Sequence, residues 1–173
     1  MARAVISTIG RDRPGIVNEL SEAAFAMGVS IEDSRMAVLG GEFAVLMSVV
    51  GSDEALAGLN ERLTALTTSG DVAYLFRNTA DRPSSHYIPY RVRVVAMDHP
   101  GIVHGIAGFF SSRNINIREL ETETERAAHT GTPLFNLQMT VEVPHGTKVA
   151  QLRHEFEAFC EERDLDGVLD VPL

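Results

Sequence analysis

Apolar positions along the chain switch between two periods, and they do so twice. "RAVISTIG" (3–10) is a β-branched run that reads as a strand. Beyond it, Ile16, Val17, Leu20, Ala23, Ala24 and Met27 recur at spacings of three and four, one face of a helix. "VSIEDSRMAVL" (29–39) and "EFAVLMSVVG" (42–51) follow as two strands, with Gly40-Gly41 between them as a hairpin signal. Leu56, Leu59, Leu63 and Leu66 form the stripe of a second helix, for which Ser52 or Asp53 is the N-cap candidate. "DVAYLF" (71–76) closes the series as a strand.

The order then returns. "DRPGIV" at 12–17 reappears as "DHPGIV" at 98–103. The same offset lays Ile31 on Ile117, Asp33 on Glu119 and Gly28 on Asn114, the last pair being the residue types that best tolerate a left-handed backbone after a helix. Later, "FAVLMSV" (43–49) lies over "FNLQMTV" (135–141), and the larger offset there gives the second copy about six extra residues, placed most simply within 124–133. Loops absorb such insertions easily, so a longer hairpin connection is expected. The second copy's last helix carries Val149, Leu152, Phe156 and Phe159, with Thr147 as its cap.

Each copy therefore reads β-α-β-β-α-β, the ferredoxin-like arrangement of an α+β fold. Two helices with single apolar stripes cover one face of a four-stranded antiparallel sheet, and the other face meets solvent or a partner. Domain 1 is expected at 1–79 and domain 2 at 89–173. Residues 80–88 join them, within a stretch rich in Pro, Ser, Asn and Asp that reads as a linker with its boundary near residue 83. The second strand of this fold is a sheet edge, and a free edge invites another strand. Residues 30–38 are thus expected to pair with 116–124, joining both copies into one eight-stranded antiparallel sheet with the helices on one face.

Charge narrows the partners. The 173 residues carry 15 Lys and Arg against 24 Asp and Glu, a net charge of −9, with a pI near 5.1. Nucleic-acid binders usually present a basic face, so direct nucleic-acid contact is not expected. No apolar run approaches the ~20 residues that cross a bilayer, and no signal peptide is evident at the start of the chain. The one cysteine, Cys160, follows two phenylalanines on a helix and reads as packing; it cannot form an internal disulfide, which fits a cytoplasmic setting. No dinucleotide, P-loop or nucleophile-elbow motif occurs, nor any H-x-x-x-H or C-x-x-C. No catalytic residue, metal site or cofactor is expected.

The repeated Asp-x-Pro-Gly turn remains as chemistry. Asp12 can fold its carboxylate onto backbone N–H groups ahead of it. Pro14 suits the first helical position, and Gly15 permits close approach to the backbone. The exposed amides from Gly15 to Val17 attract anions, so a small carboxylate could be held there without any catalytic side chain. The same turn is also simply a good way to begin a helix.

The D-x-P-G-I-V turn, the amphipathic helix, "GVSIEDSRM" and the hairpin that follows resemble an ACT domain. "DHPGIV" followed by "NINIRELET" resembles the same domain again. Two copies with no catalytic domain attached resemble the glycine cleavage system transcriptional repressor family. That resemblance implies a non-enzymatic regulatory protein. It would bind a small amino acid, glycine being one candidate, where two domains pair, and would act on a protein partner, a transcriptional regulator, rather than on DNA. A homo-oligomer is compatible with it, and an amino-acid-sensing subunit of a metabolic enzyme is the alternative. Carried onto this chain, the resemblance assigns ligand contact to Asp12, Gly15 and Ile16, and to Asp98, Gly101 and Ile102. Ser30 and Asp33, or Asn116 and Glu119, would complete each site from the second strand. Asn18 and His104, early in the first helices, are also within reach. Replacing Gly15 or Gly101 by Val is expected to abolish binding with the fold largely intact.

Overall fold

The computed structural model describes residues 1–67, 72–80, 87–126 and 131–170. The chain divides into two units, Met1–Pro83 and Ser84–Leu173. The first contains β1 (Ala2–Arg11), α1 (Ile16–Ala26), β2 (Ser30–Leu39), β3 (Glu42–Gly51), α2 (Asp53–Thr67) and β4 (Val72–Thr79). The second contains β5 (Tyr87–Met97), α3 (Ile102–Ser111), β6 (Asn116–Arg126), β7 (Pro133–Pro144), α4 (Val149–Glu161) and β8 (Asp166–Asp170). Residues 81–86, most of the expected linker, and 127–130, within the expected insertion, lie outside the described residues.

The strands are antiparallel and form two sheets, β2-β3-β1-β4 and β6-β7-β5-β8. The eight expected strands are present, but the hydrogen-bonded ladders run through four strands in each unit, not through one sheet of eight. β2 and β6 stand at an edge, as the ferredoxin-like order requires. A free edge needs its unpaired backbone covered, but that need alone does not select which strand covers it.

Local sequence explains the joints. Gly40 and Gly41 both have positive φ (65° and 111°), which two-residue hairpins of the tightest type demand and only glycine adopts cheaply. Gly28 and Asn114 take the left-handed conformation after α1 and α3, at φ 66° and 55°. Ser52 Oγ accepts the amide of Ala55 at 3.1 Å and so caps α2. Thr147 does not cap α4. The N-cap is Lys148, and the Thr147 hydroxyl donates to the Pro144 carbonyl at 2.8 Å.

Each unit has its own core on the helix side of its sheet. In the first, Ala4, Ile6, Phe43, Val45, Met47 and Val49 meet Ile16, Leu20, Ala23, Leu56, Leu59 and Leu63. Two members of the expected helical stripes stand outside it, with Val17 43% and Leu66 37% exposed. In the second, Phe109, Phe110, Phe156 and Phe159 form a ring cluster with centroids 5.0–6.3 Å apart. Ala23, Ala24, Leu63 and Leu66 hold those four places in the first unit.

The faces away from the helices also differ. On the first sheet Leu46 and Leu75 both face Ser7, with Ile9 two residues along, and these three are about half exposed or more. On the second, Arg93 stands between Gln138 and Val168, and Glu119, Glu121 and Glu123 edge the same face.

Candidate functional site

The two turns fold alike. Asp12 donates its amide to Gly41 O at 3.2 Å, and Asp98 donates its amide to Pro133 O at 3.2 Å, tying each turn to the hairpin beyond the edge strand. Gly15 and Gly101 are the helix N-caps, at φ 94° and 102°. A Cβ at either would meet nothing within 4 Å, so the backbone angle, not crowding, calls for glycine there. A Gly15→Val or Gly101→Val change would thus strain the turn itself, contrary to the expectation of an intact fold. Glu19 and Gly105 donate their amides to the carbonyls of Gly15 and Gly101 at 2.9 Å, closing the first turn of each helix.

Neither N-cap receives a side-chain hydrogen bond. Asp12 stands outside its helix as an exposed residue, and Pro14 precedes the N-cap instead of occupying the first helical position. No side chain therefore caps the first-turn amides, which a helix cannot satisfy from its own carbonyls, although Ile16 donates its amide to Arg13 O at 3.5 Å. Ile16 and Ile102 are 4% and 3% exposed, so their side chains anchor the helices in the cores and only their main chain can face a ligand. Asn18 and His104 are exposed beside these amides.

The other expected contacts lie elsewhere. Ser30 pairs with Val50, itself opposite Arg3, whereas Arg11 at the turn pairs with Glu42. The eight-residue separation along β1 corresponds to about 26 Å at roughly 3.3 Å per residue. Asp33 follows a bulge between Ile31 and Asp33, and Glu119 follows the same bulge between Ile117 and Glu119. Asn116 Nδ2 donates to Glu142 Oε2 at 2.9 Å. Within one domain, then, the turn and the start of the second strand occupy opposite ends of the sheet, and they do not converge.

ACT-domain models match residues 2–75 and 90–161. The glycine cleavage system transcriptional repressor of Escherichia coli (strain K12) is 30% identical over 168 residues, covering 96% of this chain and 88% of that one. The chain belongs to this tandem ACT-domain repressor family. A crystal structure of a candidate member is 29% identical, covers 98% of this chain and 96% of its own, and superposes with a TM-score of 0.73. A protein of unknown function from Galdieria sulphuraria is 28% identical, covers 99% of both chains and superposes at 0.80. The family's role is regulatory, not enzymatic.

The ACT turns differ in what surrounds them. In domain 1, Arg13 donates twice to Glu19, at 2.7 and 2.6 Å, and this hydrogen bonding holds the Glu19 carboxyl below its ordinary value. In domain 2, His99 and Gly105 occupy those positions, and His99 Nδ1 lies 3.1 Å from Pro100 O. Removing the side chain at Gly105 opens a groove between α3 and α4, where Arg113 and Arg163 lie over the rings of Phe109 and Phe159. Cys160 is buried, which pushes its thiol up to about 11 and away from nucleophilic chemistry. Among the described residues no helix is long and apolar enough to cross a membrane, and no group of three or more metal-ligating side chains occurs.

Two groups escaped the sequence reading. Glu142 is 7% exposed and accepts from Asn116, though it sits in an otherwise alternating strand. Thr8 is 1% exposed on the helix-facing phase of β1. Its signal was available, since the apolar alternation Ala4, Ile6, Thr8 breaks where the second copy has Val94.

Proposed function

We propose that the protein senses a small amino acid, with glycine as the first candidate, and passes the bound state to a protein partner that regulates transcription in glycine cleavage and amino-acid metabolism. The ligand carboxylate sits on the first-turn amides after Gly15 or Gly101, near Asp12 and Asn18, or Asp98 and His104. The ammonium group meets oxygen-bearing side chains from the start of another domain's edge strand: the Asp33 carboxylate and Ser30 hydroxyl, or the Glu119 carboxylate and Asn116 amide. Those residues are too far along their own sheet to serve their own turn, so a complete site needs two domains, and binding favours whichever arrangement brings them together. The observation that carries this reading is that both glycine-started helices lack a side-chain cap, leaving their amides to a ligand. The protein acts in the cytoplasm, and its acidic charge points to contact with a protein, not with DNA.

Thermal shift against the twenty amino acids tests the sensing step. A ligand at 100 times its Kd adds about 2.7 kcal/mol to stability. No shift with any of them would overturn the reading. Tight, salt-sensitive binding of the purified chain to DNA alone would overturn the partner assignment. Co-purification of a biosynthetic enzyme in place of a transcriptional regulator would favour an enzyme's regulatory subunit.

A further inference from the structure

The first domain's core contains a polar atom that it does not satisfy. Thr8 lies mid-strand in β1, facing the helices, and is 1% exposed. Its Oγ1 has no hydrogen-bond partner among the described residues. Buried hydroxyls are almost always bonded, and an orphan is costly enough to need a reason. This one adjoins a hollow of about 30 Å³ walled by Leu20, Leu63 and Val72, with Tyr74 beside it. Arg13 and Glu19 also line it, and their side chains are 41% and 42% exposed, so the ion pair stands on the solvent side.

The second domain builds the same place from apolar groups. Val94 replaces Thr8, and Gly167 replaces Tyr74 in the strand register. A Cβ at Gly167 would collide with Cys160 Sγ and approach Phe156 Cε1 to 3.2 Å. Sulfur and an aromatic ring thus take the space that the Tyr74 side chain takes in domain 1, and Val94 is buried among apolar groups alone. One copy therefore packs this position with apolar groups, while the other keeps a hydroxyl, a hollow and a charged rim. Packing alone favours the first solution.

We propose that this hollow is a second ligand site, separate from the glycine turns, that takes a small hydroxy amino acid. Free space of this size is roughly one water, or one hydroxymethyl group, so only the side-chain end of such a ligand enters. Its hydroxyl bonds Thr8 Oγ1. Its carboxylate and ammonium remain at the rim, the former on the Arg13 guanidinium and the latter on the Glu19 carboxylate, each exchanging its present partner for the ligand's opposite charge. An amino acid without a hydroxyl leaves Thr8 as unsatisfied as before. The choice of an amino acid rests on the sensing role proposed above; the placement rests on Thr8.

Calorimetric titration of the full chain with L-serine, L-threonine, L-alanine and glycine tests this, using wild type, Thr8→Val and Thr8→Ser. Wild type binds serine or threonine about tenfold more tightly than alanine, the discrimination of one hydrogen bond. Thr8→Val abolishes that preference, and Thr8→Ser retains it. The melting temperature of ligand-free Thr8→Val rises, which shows that the variant is folded. Equal affinity for serine and alanine, or a serine preference unmoved in Thr8→Val, would overturn the site and reduce the hollow to a place for one trapped water. If another amino acid binds while Thr8→Val changes nothing, this site fails and the sensing role stands. If none of the twenty binds, both fail.

Discussion

The two domains share a frame and differ in how they fill it. Backbone features recur at matching positions: the glycine N-caps at 15 and 101, the left-handed residues at 28 and 114, and the bulges before Asp33 and Glu119. Interiors recur only in part: Phe43, Met47 and Val49 are matched by Phe135, Met139 and Val141, but the helix-side packing differs. Domain 2 clusters four phenylalanines, with Phe109 edge to face against Phe110 and Phe156, whereas domain 1 has two alanines and two leucines there and leaves a hollow at Thr8. Backbone angles are set by the few residue types that accept positive φ, glycine above all and then asparagine, so a duplicated chain keeps them. Core volume can be met by many combinations, so the copies are free to diverge there and acquire different tasks.

The comparison can be broken most severely at the ring cluster. Phe156, fully buried and in contact with Phe109, Phe110 and Cys160's neighbourhood, should cost about 3–5 kcal/mol when changed to Ala, read by chemical denaturation. The aligned change in domain 1, Leu63→Ala, should cost less, because a smaller group is lost beside an existing hollow. Val94→Thr transplants the orphan hydroxyl into a buried, apolar site and should destabilise by about 1–3 kcal/mol. Gly15→Ala and Gly101→Ala should each cost about 1–2 kcal/mol, nearly the same in both domains, because a shared positive φ is the cause. A large inequality between them would mean that the turns are less alike than their angles.

Thr8→Val should stabilise the ligand-free protein by about 1 kcal/mol, the reverse of Val94→Thr. The smallest effect at neutral pH belongs to Cys160. Burial, then the Asp166 carboxylate, pushes its thiol up to about 11 from 9.0, so the folded chain holds this proton more tightly than the unfolded one. Its contribution is complete below pH 9 and is lost as pH rises towards 11. Denaturation midpoints across pH 8–11 should fall more steeply for wild type than for Cys160→Ala.

The repeat made the fold legible. Strand β3 runs over 42–51 as the pattern predicted, and Gly40-Gly41 turns where it should, because period and turn residues act locally. Errors arose where a local pattern has two readings. Val17 and Leu66 belong to the apolar stripes by spacing, yet each lies at its stripe's margin and faces outward. Thr147 is a good cap by type, but its hydroxyl found the Pro144 carbonyl first. The turn glycines could be read from the sequence because their conformation is intrinsic to them. Thr8 shows in the sequence only as a break in the apolar alternation; that its hydroxyl lacks a partner depends on residues from α1, α2 and β4.

Strand β2 carries one further consequence. All ten of its residues are exposed, and among the described strands only β3 is bonded to it. Alternate amides of such a strand point outward, away from the ladder. In deuterated solvent, every second N–H from Met36 to Leu39 should exchange rapidly while its neighbours remain protected. That two-residue rhythm would vanish once another chain segment occupied the strand's outer margin.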